Sequence, residues 1–367
     1  MMRAMKPPYR ADQVGSLLRP AELASARRQW KQGALSAEKL KQIEDHAIRE
    51  AVKKQEAIGL RAVTDGEFRR DWWHLDFLEQ LDGVKTIANP GPKFGGTEEQ
   101  PPIATVAGKV DCSRPIMADH FAFLKSVAKA TPKFTIPSPS MLHLRGGRNA
   151  IAKDVYPDLE EFWHDVAAAY GKAIAHLARA GCTYLQLDDT AFAYLCDPKI
   201  QENCRRNGDD PAKLPRRYAD TINAALKDKP AGMTVTMHTC RGNFKSAWVA
   251  EGGYDPVAEA MFSANVDGFF MEFDSARAGT FEPLRALPKG KKVVLGLVTT
   301  KVGQIEDKDM LKRRIAEAAK FVPLENLCLS PQCGFSSTHH GNVLSQDDQW
   351  KKLALIVDVA REVWGSA

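Results

Sequence analysis

Residues 238–243 read HTCRGN and follow the alternating run MTVTM. Such a run predicts a strand, and a histidine and a cysteine two residues apart at its end can aim at one point. Two further residues of the same chemical kind follow: Glu272 closes the run GFFME, and Cys333 lies in SPQCGFSS. One imidazole, two thiolates and one carboxylate form a donor set suited to Zn²⁺. Each member has a plainer reading. A lone H-x-C is mostly coincidence, and a cysteine behind an apolar strand is mostly packing, which is how Cys182 and Cys328 read. Glu272 is more telling, because a carboxylate inside an apolar run is costly to bury unless it is paired or bound to a metal. Cys333 stands in a Pro-Gly loop rather than in a strand. The metal reading of His238, Cys240, Glu272 and Cys333 therefore rests on their occurring together. More carboxylates stand after other strand-like runs: Asp65 and Glu67 after AVT, Asp188 and Asp189 after YLQL. D-G-E at 65–67 reads equally as a turn with Gly66 at positive φ, and one of the two aspartates reads as a helix cap.

Short apolar runs must position these groups. They occur at 62–65, 134–137, 184–188, 234–238, 268–272, 293–297 and 326–330, with a weaker one at 9–14. Continuous apolar runs suit strands covered on both faces. Helical stretches lie between them. Ser36 precedes one with Leu40, Ile43, Ala47 and Ala51 on its apolar face. Asp158 with Glu161 resembles a capping box before another. Segments 211–226, 255–264, 308–321 and 345–364 read likewise. Alternating strands and helices imply parallel pairing with right-handed crossovers, and eight units close as a (β/α)8 TIM barrel in one domain over 1–367. A doubly wound open sheet is the alternative, although no GxGxxG follows a strand. The Pro- and Gly-rich residues 84–115 break the rhythm and predict a hairpin and loop excursion from the barrel.

Composition narrows the function classes. The 367 residues carry 51 Lys and Arg against 46 Asp and Glu, a net charge of +5, with the bases spread along the chain. No nucleic-acid partner is expected. The first ten residues lack an apolar core, so no signal peptide is expected, and no run is long enough to span a membrane. The cysteine count is seven, odd, with no CxxC, which points to a reducing, cytoplasmic setting.

DQVGSLLRP (12–20), VTDGEFRRDWW (63–73), LQLDDTAF (185–192), HTCRGN, the Glu of FMEFD (270–274) and SPQCGFSST (330–338) together resemble the cobalamin-independent methionine synthase family. The likeness is to its catalytic C-terminal barrel, in the short single-barrel form, and covers nearly the whole chain. The N-terminal half of the full-length enzyme has no counterpart here. The resemblance implies that His238, Cys240, Glu272 and Cys333 hold Zn²⁺. It further implies that Gly15 and Ser16 hold the backbone of an amino-acid substrate, and that Glu67 and Asp188 bind its ammonium group. The implied reaction moves a methyl group from methyltetrahydrofolate, or another donor, to the thiol of homocysteine or a similar thiol, forming methionine. Glu272 is the ligand expected to yield to the incoming thiol, carboxylate oxygen being harder than thiolate sulfur. The alternative is another zinc-dependent thiol alkyltransferase or lyase, of the epoxyalkane–coenzyme M transferase type.

Two departures from the family stand out. A histidine expected after the seventh strand is missing from LGLVTTKVGQIED (295–307), where Thr300 and Lys301 stand instead. His339 and His340, soon after Cys333, are the substitute candidates for proton transfer. The tryptophan expected near the third strand to stack on folate is missing from FTIPSPSMLHL (134–144). Trp72 and Trp73 could offer a platform, with packing as their plainer role.

Overall fold

The structure is a computed structural model and describes residues 6–88 and 101–367. Its strands are β1 (Ala62–Val63), β2 (Asp82–Ile87), β3 (Ile103–Asp111), β4 (Thr131–Pro132), β5 (Phe134–Pro137), β6 (Tyr184–Asp189), β7 (Thr234–Thr239), β8 (Gly268–Glu272), β9 (Lys292–Val298) and β10 (Leu327–Pro331). The six strands β5 to β10 form one parallel sheet in chain order. That order never reverses, which removes the doubly wound alternative, since such a sheet needs a switch point. β1 pairs in parallel with β4.

The expected first strand at 9–14 is reduced to one bridge, Ala11 to Leu329. It is fastened by Asp12 N–H to Leu329 O at 3.0 Å and by Leu329 N–H to Arg10 O at 2.8 Å. The pair β1–β4 is also shorter than the run at 62–65 suggests. Pro132 has no N–H to give, so Thr131 and Lys133 on either side bond Arg61 O and Val63 O. The excursion is an antiparallel hairpin of β2 with β3, starting at Asp82 and returning to Asp111. Gly83 is required at its base: φ is +77°, and a Cβ would lie 2.4 Å from Lys109 O. Residues 89–100 of the excursion lie outside the described residues.

Alternation within the strands corrects the expectation of two apolar faces. Leu185, Leu187, Val235, Met237, Phe269 and Leu295 join the main core under the helices. Their neighbours on the other face include Gln186, Asp188, Thr236, His238 and Glu272, all buried. Between these polar groups lies a thin apolar layer of Val14, Phe270, Val294 and Cys328. Successive side chains of a strand point to opposite faces, so every second residue of YLQLD and TVTMH is free to carry chemistry.

The helices follow local signals. Ser36 accepts from Lys39 N–H at the start of Ala37–Ala57, and Ser345 forms a reciprocal box with Asp348 at the start of Gln346–Trp364. Asp158 accepts from Glu160 N–H ahead of Leu159–Arg179. The reciprocal bond expected from Glu161 is replaced by an ion pair with Lys109 at 2.5 Å. Helices Ala21–Lys31, Ala118–Val127 and Pro198–Arg206 come in addition to the expected ones. Among the described residues no helix is long and apolar enough to cross a membrane.

Under the polar face lies a charged plug. Lys133 Nζ binds Asp12 Oδ1 at 3.1 Å and sits 3.9 Å from the Phe270 ring centroid, while Tyr184 donates to Asp12 Oδ2 at 2.8 Å. Lys133, Asp12 and Tyr184 are fully buried. Removing one partner of a buried pair strands the other charge. Asp12→Ala is therefore expected to destabilise the protein by ~3–5 kcal/mol in urea unfolding, and Asp12→Ala with Lys133→Met to recover part of that loss. Equal stability of the single variant and the parent would refute the assignment.

Candidate metal centre

β7 presents His238, and the chain just beyond it presents Cys240 on the same side; Cys333 follows β10. The ligand atoms of His238, Cys240 and Cys333 lie within 4.8 Å of one another, and all three residues are buried. The two sulfurs are 3.7 Å apart. Contact with Cys240 and with His238 holds the Cys333 thiol well below its ordinary range, against the effect of burial. The same sulfur contact, together with burial, pushes the Cys240 thiol up. Burial would depress the His238 imidazole, but the Asp188 carboxylate and the Cys333 sulfur raise it to about 10. Nitrogen and sulfur donors that compete for protons in a dry space fit a divalent ion of zinc's type.

Glu272 does not join this group. It is fully buried, and its carboxylate accepts from Arg277 and from the Arg241 N–H at 2.6 Å. Burial would raise its carboxyl, but Arg241, Arg277 and Lys301 hold it below the usual range. It remains close enough to raise the Cys240 thiol.

The loops carrying the sulfurs are tied together. Asn243 Nδ2 donates to Gly334 O at 2.8 Å, and Lys301 Nζ to Gly242 O at 3.0 Å. Gly242 has φ +96°, and a Cβ there would meet the Tyr194 hydroxyl at 2.9 Å. Arg19, in the motif DQVGSLLRP, bonds the carbonyls of Glu67, Arg70, Ser336 and Thr338. Sequence reasoning gave no role to Arg19 or Asn243 and noted Lys301 only as standing where a histidine is missing, because their partners are main-chain atoms far away in the chain.

A cavity opens onto the sulfurs and is also lined by Ser16, Glu67 and Asp188. Gly15 lies behind Ser16 with φ +149°, and a Cβ there would lie 2.7 Å from Thr135 Cγ2. Glu67 has φ +59°. Thr135 donates to its Oε1 at 2.8 Å, while its buried Oε2 has no partner. Burial and the Asp188 charge raise the Glu67 carboxyl to about 7 despite Arg70. Asp188 Oδ1 accepts from Gln186 at 2.7 Å and faces His238 Nδ1 at 3.2 Å. Asp189 instead accepts the N–H groups of Ala191 and Phe192 at 2.6 and 3.2 Å.

His339 and His340 stand further back. They pack edge-on against Trp72, at 5.8 and 5.9 Å, and neither lines the cavity. Trp72 and Trp73 do line it, with Trp72 stacked on Phe244 at 6.1 Å. Thr300 donates to Gln332 Oε1 at 2.6 Å, bracing the strand before Cys333.

Residues 10–362 match the family model described as the catalytic domain of cobalamin-independent synthase. The chain is 50% identical to the uncharacterized protein YxjH of Bacillus subtilis (strain 168), covering 98% of this chain and 96% of that one. It is 24% identical to a methionine synthase of Saccharolobus solfataricus, over 95% of this chain and 93% of that one. Among solved structures it resembles a putative vitamin-B12 independent methionine synthase from Listeria monocytogenes. That likeness has a TM-score of 0.80 at 39% identity and covers 99% of this chain and 100% of that one.

Proposed function

We propose that this chain, which belongs to the cobalamin-independent synthase catalytic-domain family, is a zinc-dependent methyltransferase that makes methionine from homocysteine or methylates a similar thiol. The observation that carries this reading is the convergence of His238, Cys240 and Cys333 on one wall of a cavity that also holds Glu67 and Asp188. The links from residues 10–12 to β10, from Ser16 to Gly66 and from β1 to β4 support completing the sheet as a (β/α)8 barrel, one domain over 1–367. The site then lies at the carboxyl ends of its strands. The reading places the enzyme in the cytoplasm, where its seven buried, free cysteines stay reduced.

His238, Cys240 and Cys333 would hold the zinc, with Glu272 as the fourth, yielding ligand. When bound, zinc supplies an incoming thiol as its thiolate at neutral pH. Arg277 and the Arg241 N–H stand ready to keep the Glu272 carboxylate satisfied when it is released. Asp188 orients the His238 ring through Nδ1. Glu67 and Asp188 clamp the ammonium, and the Gly15–Ser16 turn receives the carboxylate, which points the sulfur toward the donor and lowers the entropic barrier. The new S–CH3 bond forms as the donor's bond to methyl breaks; the donor keeps that electron pair and the thiol has lost its proton. The folate donor remains the first candidate, with Trp72, Trp73 and Phe244 as apolar walls that exclude water.

Titrating homocysteine into zinc-loaded protein tests this reading. Binding with release of about one proton is expected, seen as a dependence of the heat on buffer ionisation enthalpy. Homocysteine that binds without proton release, or does not bind, defeats it.

Glu67 adds a pH signature. Its carboxyl is raised to about 7, so below that pH an arriving ammonium must displace a proton. Affinity for L-methionine, which has no thiol to titrate, is expected to fall up to ~tenfold per unit below pH 7 and to level off above it. In Glu67→Gln the slope should vanish; a slope that persists would assign the titration elsewhere.

A further inference from the structure

The same cavity has a cationic and imidazole-bearing wall that neither the metal nor the ammonium clamp uses. Arg145 and His74 both line it. Arg145 follows the 3₁₀ turn Pro139–Leu142, which lies in the stretch FTIPSPSMLHL that carries no tryptophan. The turn is anchored by His143, bonded to the Tyr218 hydroxyl at 2.9 Å and facing Asp209 at 3.3 Å. Among the described residues Arg145 makes no ion pair or hydrogen bond, although it is only partly exposed. Its neighbour in sequence, Arg148, bonds the carbonyls of Ile151 and Tyr156. His74 is 2% exposed, and both of its ring nitrogens are buried without a partner. Its ring packs on Trp73 at 4.7 Å.

A buried polar atom without a partner costs roughly 1–3 kcal/mol and calls for an explanation. An orphaned imidazole donor, in a cavity that also holds an uncommitted guanidinium, fits one explanation: a ligand supplies the partner that both lack. Arg145 is near enough to help depress the His74 imidazole, after burial itself. A neutral His74 offers one N–H donor beside a planar fork of donors, and that pairing suits an oxyanion. On the methyl-transfer reading Glu67 and Asp188 would take the ammonium of the amino acid and the Gly15–Ser16 turn its carboxylate, which leaves this wall to an anion of the other substrate.

We propose that Arg145 and His74 bind an oxyanion, a carboxylate or a phosphate, carried by the methyl donor. This assignment to the donor rests on the methyl-transfer reading above. It gives the donor a charged handle in place of the missing stacking tryptophan.

Calorimetry on the zinc-loaded full chain tests it, with 5-methyltetrahydrofolate as the carboxylate probe, monomethyl phosphate as the phosphate probe and L-methionine as the control. Arg145→Met is expected to weaken one of the two anionic probes by ~30-fold or more while leaving L-methionine within about twofold. Which probe responds identifies the anion. Arg145→Lys should retain most of the affinity. His74→Leu should weaken the same probe by ~tenfold and raise the melting temperature, because it deletes the two orphaned nitrogens. A purely structural role for His74 would not move both. Unchanged probe affinity in Arg145→Met, no binding of either probe to the parent, or a loss confined to L-methionine would overturn the proposal. A companion assay separates it from the function itself: methyl iodide alkylates bound homocysteine, forming S–CH3 as iodide leaves with the bonding pair. Arg145→Met should leave that rate unchanged. A parent protein that neither binds L-methionine nor is helped in this alkylation would end the methyl-transfer reading, while the two anionic probes still decide the oxyanion site.

Discussion

Cys333→Ser is expected to lose stoichiometric zinc and to lower methyl transfer by more than ~10³-fold while remaining folded. Changing a residue that merely orients a metal ligand weakens binding or activity by roughly 10–100-fold, and removing a ligand bond is more severe. Cys333 is the sharper choice of the two cysteines, because its contacts with Cys240 and His238 hold it toward the thiolate that a metal requires. The fold should survive, because the sulfurs sit at strand ends above a core completed without them: Leu327, Leu329 and Val293 pack under the helices. Metal content by mass spectrometry, circular dichroism and a methylation assay on one preparation check all three parts. A metal-stripped parent that unfolds would make the ion structural, since proteins folded by their metal lose structure with it. A zinc-replete, active Cys333→Ser would remove the residue from the centre altogether.

Glu67→Gln should raise the dissociation constant for homocysteine by ~10²-fold, consistent with the 2–5 kcal/mol lost when one partner of a buried charge pair is removed. Its buried Oε2 has no partner, which leaves it free to receive an ammonium. Asp188→Asn should act twice. It weakens the ammonium contact, and by loosening His238 Nδ1 it also lowers zinc affinity by ~10–100-fold. The comparison thiol is 4-mercaptobutyrate, which has no ammonium. For it Glu67→Gln should change affinity less than about threefold, the worth of a weak polar contact. Equal losses for both thiols would mean that Glu67 only shapes the cavity. No loss for either would favour the alternative thiol alkyltransferase reading, whose substrate carries no ammonium to clamp.

Several features were legible along the chain. The runs at 134–137, 184–188, 234–238 and 268–272 reappear as β5 to β8 with ends shifted by at most one residue, because short β-branched and aromatic runs bounded by turn residues have few other options. Ser36, Asp158 and Ser345 cap the helices that follow them, since capping is a bond between residues two or three apart. The H-x-C pair was legible for the same reason: a spacing of two keeps both side chains on one side of a strand.

What could not be read locally is what depends on distant partners. Arg277, five residues beyond Glu272, pairs with that carboxylate, while His238, Cys240 and Cys333 converge. His339 and His340 looked catalytic by proximity to Cys333 in the chain, yet the loop turns their rings onto Trp72. Arg145 and His74 showed no motif, because an unsatisfied donor becomes visible only when every neighbour is in place. The order of strands, the pairing periodicity and the residue types able to grip a metal were determined by the sequence alone, through interactions spanning a few residues. Which of those groups face one another, and which remain without a partner, was decided only by the tertiary structure, because both are set by contacts between strand ends and loops up to about 320 residues apart, such as Ser16 with Ser336.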